Sequence, residues 1–327
     1  MNPLVSVAIP TFDRLHYLKE AVSSALAQTY DNIEVIIGDD GETESIKAWS
    51  QNITRQEPRV RYQRNPHNLG LAGNWNALAD AARGEFLIII GDDDRLLPHF
   101  ASTLVKTILP SARVAFSNHY LIDDKGNRLE AESYQHTRLY RRDTLPAGQI
   151  ANAAACVWQN LVPMSAALVR TSDVQRLRFR DDLNTPETEF FIRLAQEGAR
   201  FIFAQDYLSE YRVHSQSQTT AGLSSERMAE YLLPVSVAPD VEPYKREFMA
   251  PLLINAVSRC LQNGEWQRAR KFLSSEYYPK PSDTPTSLKY VLSGCVQELC
   301  ASLPAPVGYP IYRSAQRIKS FSEKFFR

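Results

Sequence analysis

Residues 84–94 read GEFLIIIGDDD, and the fold is decided there. Phe86 to Ile90 is a short, unbroken apolar run of the kind a strand shows when helices cover both faces of a parallel sheet. It passes directly into Gly91, Asp92, Asp93 and Asp94. Working outward, Leu4 to Ile9 is a β-branched run ending in Pro10, and Leu18, Val22 and Leu26 recur at helical spacing across Tyr17 to Ala27. Ile33 to Ile37 forms a second buried strand that ends in Gly38, Asp39 and Asp40. Arg59 to Gln63 reads as a weaker strand and Leu71 to Ala82 as a helix. Strands alternating with helices predict an α/β fold with a doubly wound, mostly parallel sheet. Open sheets of this kind bind ligands at the carboxyl ends of their strands, where the acids lie.

Further along, Val114 to Ser117, Ala166 to Arg170, Phe201 to Phe203 and Tyr207 to Val213 read as strands. Thr185 as N-cap, Pro186 at the first position and Gly198 beyond the end mark a helix over Thr185 to Glu197. Beyond residue 223 helical patterns are separated by Pro-rich stretches, which predicts a large domain over 1–223 and a helical C-terminal region over 224–327.

The chain has 37 basic and 37 acidic side chains, so no overall charge argues for nucleic acid as a partner. The opening MNPLVSVAIPTFDR lacks a charged leader with a long apolar run, and no stretch is long and apolar enough for a membrane span. A soluble, cytoplasmic protein is expected. Cys156, Cys260, Cys295 and Cys300 show neither metal-site spacing nor the density of a disulfide scaffold, and read as reduced structural thiols. The terminal IYRSAQRIKSFSEKFFR places Ile311, Ala315, Ile318 and Phe325 near one helical stripe beside five basic residues. Such a helix either packs on the protein or rests peripherally on an anionic membrane.

Adjacent carboxylates after a buried strand repel one another unless a cation or hydrogen-bond donors compensate. Asp92 to Asp94 therefore read as a site for Mn²⁺ or Mg²⁺, hard cations commonly held by one or two carboxylates together with substrate phosphates.

Four motifs in order, VSVAIPTFDR, EVIIGDDG, NLGLAGNWNAL and GEFLIIIGDDDRLLP, resemble glycosyltransferase family 2. PETEFFIRLAQEG and YRVHSQSQT are similar to that family's catalytic-base helix and terminal histidine segment. The resemblance covers about residues 4–220 and implies a GT-A fold, with a nucleotide-diphosphate sugar, most readily a UDP-sugar, as donor. It implies a saccharide or lipid-linked saccharide acceptor, an inverting, metal-dependent transfer, and a place in bacterial surface polysaccharide biosynthesis. Carried over by residue, Thr11 and Asp39 contact the base, and Asp92 and Asp94 form the DxD pair around ribose and metal, with Asp93 able to replace either. Pro10, Phe12, Arg14, Asn68, Gly70 and Asn76 complete the donor site, Glu187 is the base and His214 a metal or diphosphate contact.

Phe12 stands where the family often has Tyr, and Trp75 where it often has Arg, leaving Arg14, Arg64 or His67 to supply the missing cation. The base position holds Glu rather than the more frequent Asp, and Glu189 lies two residues on as an alternative. Two other functions fit an α/β sheet with metal acids. A nucleotidyltransferase would show a Gly-rich phosphate loop, which IPTFDR lacks. A non-catalytic nucleotide-sugar-binding module would keep the fold and lose turnover.

Overall fold

The computed structural model describes residues 2–108, 110–213 and 225–279, together with Gln297. The chain divides into two compact units, Met1–Leu223 and Ser224–Arg327.

The first unit is built on one mixed sheet. Its strands are β1 (Val5–Thr11), β2 (Ile33–Asp39), β3 (Val60–Arg64), β4 (Phe86–Ile89), β5 (Arg95–Leu96), β6 (Ala112–Ile122), β7 (Gly148–Gln149), β8 (Ala167–Arg170) and β9 (Arg200–Arg212). They lie in the order β3-β2-β1-β4-β8-β6-β9-β5, with β7 beside β9. β3, β2, β1 and β4 are parallel, as the alternating pattern predicts. β8 is antiparallel to both β4 and β6, so β4 and β6 point the same way. β9 runs parallel to β6.

The helices of this unit are α1 (Leu15–Leu26), α2 (Glu44–Gln56), α3 (Gly70–Ala81), α4 (Phe100–Thr107), α5 (Glu130–Leu139), α6 (Ala153–Trp158), α7 (Thr171–Leu177) and α8 (Pro186–Gln196). Val5, Val7, Ile9, Val35, Ile37, Ile88 and Ile90 share one core with Leu18, Val22, Ile46 and Phe100, residues from the helices that cover that face. α3 covers the other face so closely that a Cβ on Gly38 would lie 2.6 Å from the Asn74 amide oxygen and 2.8 Å from Leu78. The register sets Thr11 beside Asp39, and Asp39 beside Arg64.

Several elements differ from the reading of the sequence. Pro10 lies inside β1 rather than ending it. Phe201 to Phe203 and Tyr207 to Val213 join in one strand, β9, whose pairing with β6 crosses irregularities at Ser117–His119. α2, with only Ile46 and Ser50 buried, shows too thin an apolar stripe to be read from sequence. Thr185 stands at the N-cap of α8, but its hydroxyl makes no capping bond there.

The second unit contains α9 (Ser225–Leu232), α10 (Glu242–Gln262) and α11 (Trp266–Leu273), packed through Leu252, Leu253, Val257, Cys260 and Phe272. Among the described residues no helix is long and apolar enough to cross a membrane. The basic C-terminal stripe, Cys295 and Cys300 lie outside the described residues.

The segment leading into α8 is held from α3. Asn76 donates its amide N–H to the Phe179 carbonyl at 2.8 Å and accepts from the Phe179 amide at 2.9 Å, both buried. Asn76→Ala leaves two buried backbone groups unpaired and is expected to lower stability by about 1–3 kcal/mol in urea unfolding. An unchanged midpoint would show that the clasp carries no stability.

Candidate active site

The acidic turn after β4 gathers three consecutive carboxylates, two of them buried. Asp92 and Asp94 are buried at 0% and 4% exposure. Burial pushes the Asp92 carboxyl up to about 6, with Arg14 opposing the rise and Asp93 adding to it. Burial, then repulsion from Asp93, holds Asp94 well above the usual carboxylate range.

Three groups make this turn tolerable. Thr11 Oγ1 donates to Asp92 Oδ2 at 2.7 Å. Arg14 bridges the first two acids, pairing with Asp92 and, at 2.7 Å, with Asp93 Oδ2. The buried Arg212 of β9 donates its backbone N–H to Asp94 Oδ1 at 2.8 Å and its Nε–H to the Asp93 carbonyl at 2.7 Å. Its remaining nitrogens reach the carbonyls of Asp123 and Asp124 and the Glu20 carboxylate, and the guanidinium lies over the Tyr17 ring. Arg212 is structural: its side chain is engaged by the protein.

Asp39 is also fully buried. Its Oδ2 accepts from Tyr62 Oη at 2.8 Å and Arg64 Nε at 2.9 Å, while Oδ1 takes only the Gly41 amide at 3.1 Å. A further donor would find its lone pair at Oδ1. Arg64 also binds Glu44 and the Thr43 carbonyl, so it is a poor candidate for a free phosphate cation. Neighbouring Asp40 accepts from Asn65 and the Leu69 amide, fixing the start of α3. Asn68 caps the next turn by accepting from the Gly70 amide at 2.8 Å, and Gly70 takes a left-handed φ of 71° that suits its missing Cβ.

The structure brings Thr11, Arg14, Asp92 and Asp93 into direct contact and sets Asp94 in the same turn. Pro10 and Phe12 flank Thr11, Phe12 as an exposed ring. Asn76, expected at the donor, pairs its amide with the Phe179 backbone and so ties α3 to the segment before α8. His214 lies outside the described residues.

Whether the turn suits a divalent cation follows from its chemistry. Asp92 and Asp94 set hard oxygen donors in one buried turn, so they fit Mg²⁺ or Mn²⁺. Among the described residues no three His, Cys, Asp or Glu side chains form a ready-made cage.

Two glutamates open α8, and the structure separates them. Glu189 is 3% exposed, and its Oε1 accepts from Arg180 Nε at 2.9 Å and Arg193 Nε at 2.8 Å. Arg193 also donates to the Leu177 and Arg178 carbonyls, at 2.6 Å each, so Glu189 belongs to a lock on the preceding loop. Glu187 is partly exposed, and no cation among the described residues pairs with it. Desolvation pushes its carboxyl up to about 7, opposed only by its own backbone amide.

These surroundings predict opposite stability effects. A carboxyl raised in the folded state favours the protonated protein, so wild-type stability should fall as pH rises from about 4.5 to about 7 and then level off. Glu187→Gln should match wild type below that window and exceed it above, in thermal melts across pH. Glu189→Gln should lose about 2 kcal/mol at every neutral pH, less than a fully buried pair because both arginines keep some solvent. Parallel pH profiles for wild type and Glu187→Gln would remove the assigned environment of Glu187.

The chain is similar to known glycosyltransferases. Residues 6–161 match Glycosyl transferase family 2. GalNAc(5)-diNAcBac-PP-undecaprenol beta-1,3-glucosyltransferase of Campylobacter jejuni is 27% identical over 235 residues, covering 70% of this chain and 71% of that one. Glycosyltransferase GlyG of Streptococcus pneumoniae is 26% identical over 222 residues, covering 66% and 73%. Among solved structures, the mannosyltransferase PcManGT from Pyrobaculum calidifontis, in complex with GDP-Man and Mn²⁺, superposes with a TM-score of 0.57 at 16% identity, over 99% of this chain and 88% of that one. TarS 1–349 of S. aureus in complex with UDP-GlcNAc gives 0.63 at 14% identity, over 98% and 92%. Likeness at that identity speaks for the GT-A fold alone. By its matched segment and its relatives, the chain is similar to glycosyl transferase family 2 over residues 6–161 and to named glycosyltransferases over about two thirds of its length.

Proposed function

We propose that this glycosyltransferase moves a sugar from a nucleotide-diphosphate donor, a UDP-sugar in the first instance, to an acceptor hydroxyl by a single displacement with inversion. The contrast between the glutamates of α8 carries the reading: Glu189 is locked by two arginines, whereas Glu187 has no cationic partner and a carboxyl raised to about 7. A base with that proton affinity is suited to accept a proton near neutral pH. Glu187 takes the proton of the acceptor hydroxyl as its oxygen attacks the anomeric carbon.

Thr11 and the free lone pair of Asp39 Oδ1 receive the base, Phe12 offers a stacking face, and Arg14 turns from the acidic pair toward the diphosphate. Asn68 and Gly70 shape the loop beside them. When bound by Asp92, Asp94 and the diphosphate oxygens, a divalent cation supplies positive charge to the leaving group. An undecaprenol-linked substrate in the name of one relative supports a lipid-linked saccharide acceptor and a role in surface polysaccharide assembly, with the protein working at the cytoplasmic face.

Two measurements test the assignment. Glu187→Gln should lower kcat by about 10²–10⁴ while leaving donor affinity near wild type, read as donor turnover or slow donor hydrolysis. Full activity in this variant would end Glu187's role and leave a binding module as the better reading. Asp94→Asn keeps an oxygen for the Arg212 amide but removes charge, so Mn²⁺-dependent UDP binding by calorimetry should be lost with the fold intact. Unchanged Mn²⁺-dependent binding would take Asp94 out of the metal site.

A further inference from the structure

A second charged cluster lies on the other half of the sheet. Arg142 is 2% exposed, and among the described residues it forms no ion pair with a carboxylate. Its Nε donates to Asn118 Oδ1 at 3.1 Å, its Nη2 lies 3.4 Å from His136 Nδ1, and the guanidinium sits over the Tyr140 ring. Its Nη1 has no hydrogen-bond partner among the described residues.

His119, 3% exposed, stands beside it, its ring 5.0 Å from that of His136, and its Nδ1 is buried without a hydrogen-bond partner. The ionisable neighbours of this group are Tyr140, Tyr207 and Cys156 around Arg142, and Arg142 and His136 around His119. No acid is among them. Arg141, just before, holds a left-handed φ of 52°, a strained conformation that a built site can justify.

A buried guanidinium without a counterion is costly, and a buried unpartnered ring nitrogen adds to the cost. Both costs are removed by one ligand with negatively charged oxygens. Topology says where such a ligand would lie. β6 points the same way as β4 and continues past its last pairing with β8 at Phe116, so Asn118 and His119 lie toward the edge that carries the acidic turn. The nucleotide residues lie on β1 and β2, leaving the β6 side to the other substrate. α6, which carries Cys156 beside Arg142, packs on α8, the helix of Glu187.

We propose that Arg142, His119 and His136 bind an oxyanion of the acceptor, either a phosphate or a sugar carboxylate; the word acceptor rests on the transferase reading, the anion site does not. The arginine fork takes two oxygens and His119 donates to a third or shares one, and the anion supplies the charge that no described residue brings.

The test uses full-length protein labelled with ¹⁵N-histidine, without nucleotide or metal, titrated separately with inorganic phosphate and with glucuronate. The His119 and His136 resonances are assigned with H119Q and H136Q. Saturable shifts at both rings are expected in one arm, and that arm identifies the anion. Arg142→Met should weaken this binding by about tenfold or more, the loss typical of a charge-assisted bond. Should that variant fail to fold, Arg142→Lys keeps the charge without the planar fork and should weaken it by about tenfold. No saturable shift with either anion, or equal binding by the Arg142 variant, overturns the site. UDP binding measured on the same sample reports the transferase reading separately, since its loss with intact anion shifts would sink that reading and leave the site standing.

Discussion

Three consecutive carboxylates at the end of a buried strand are held in place by cations brought from elsewhere. Arg14 arrives from the turn after β1 and Arg212 from β9, and between them they engage all three residues of the Asp92–Asp94 turn. They do so differently. Arg212 is buried and saturated, a permanent part of the wall, while Arg14 is partly exposed and bound only to the acids. The first is fixed in the fold and the second meets solvent. Arg212 gives most of its hydrogen bonds to carbonyl groups rather than carboxylates.

The same division between committed and uncommitted groups runs through the rest of the site. Asp40 and Asn74 spend their polar atoms on the chain, which fixes α3 against β2, whereas Asp39 keeps part of one oxygen unspent. Glu189 is locked to two arginines and Glu187 is not. In each pair the committed neighbour fixes the backbone that presents the uncommitted one.

How much of this was legible in the sequence depends on the range of the interaction. The strands β1, β2 and β4 and the acids at their ends could be read because burial on both faces leaves unbroken apolar runs, which are a local signal. The motif around GDDD placed Asp92 to Asp94 together for the same reason. The clasp of Asn76 on Phe179 joins residues 103 apart, and Arg212 meets Glu20 across 192, separations that leave no mark in either neighbourhood. Choosing between Glu187 and Glu189 likewise required knowing where Arg180 and Arg193 point, which helical spacing alone leaves open.

The reversed strand β8 has a consequence for where the working unit ends. The matched family segment stops at residue 161, but β8 sits between β4 and β6, and β9 delivers Arg212. A fragment closed at that point would contain the acidic turn without the strand that supports one side of it or the guanidinium that satisfies its carbonyls. During synthesis the turn leaves the ribosome well over a hundred residues before its buried cation does. Until β9 docks, Asp92 to Asp94 lack the guanidinium that meets the Asp93 carbonyl and the amide that meets the Asp94 carboxylate.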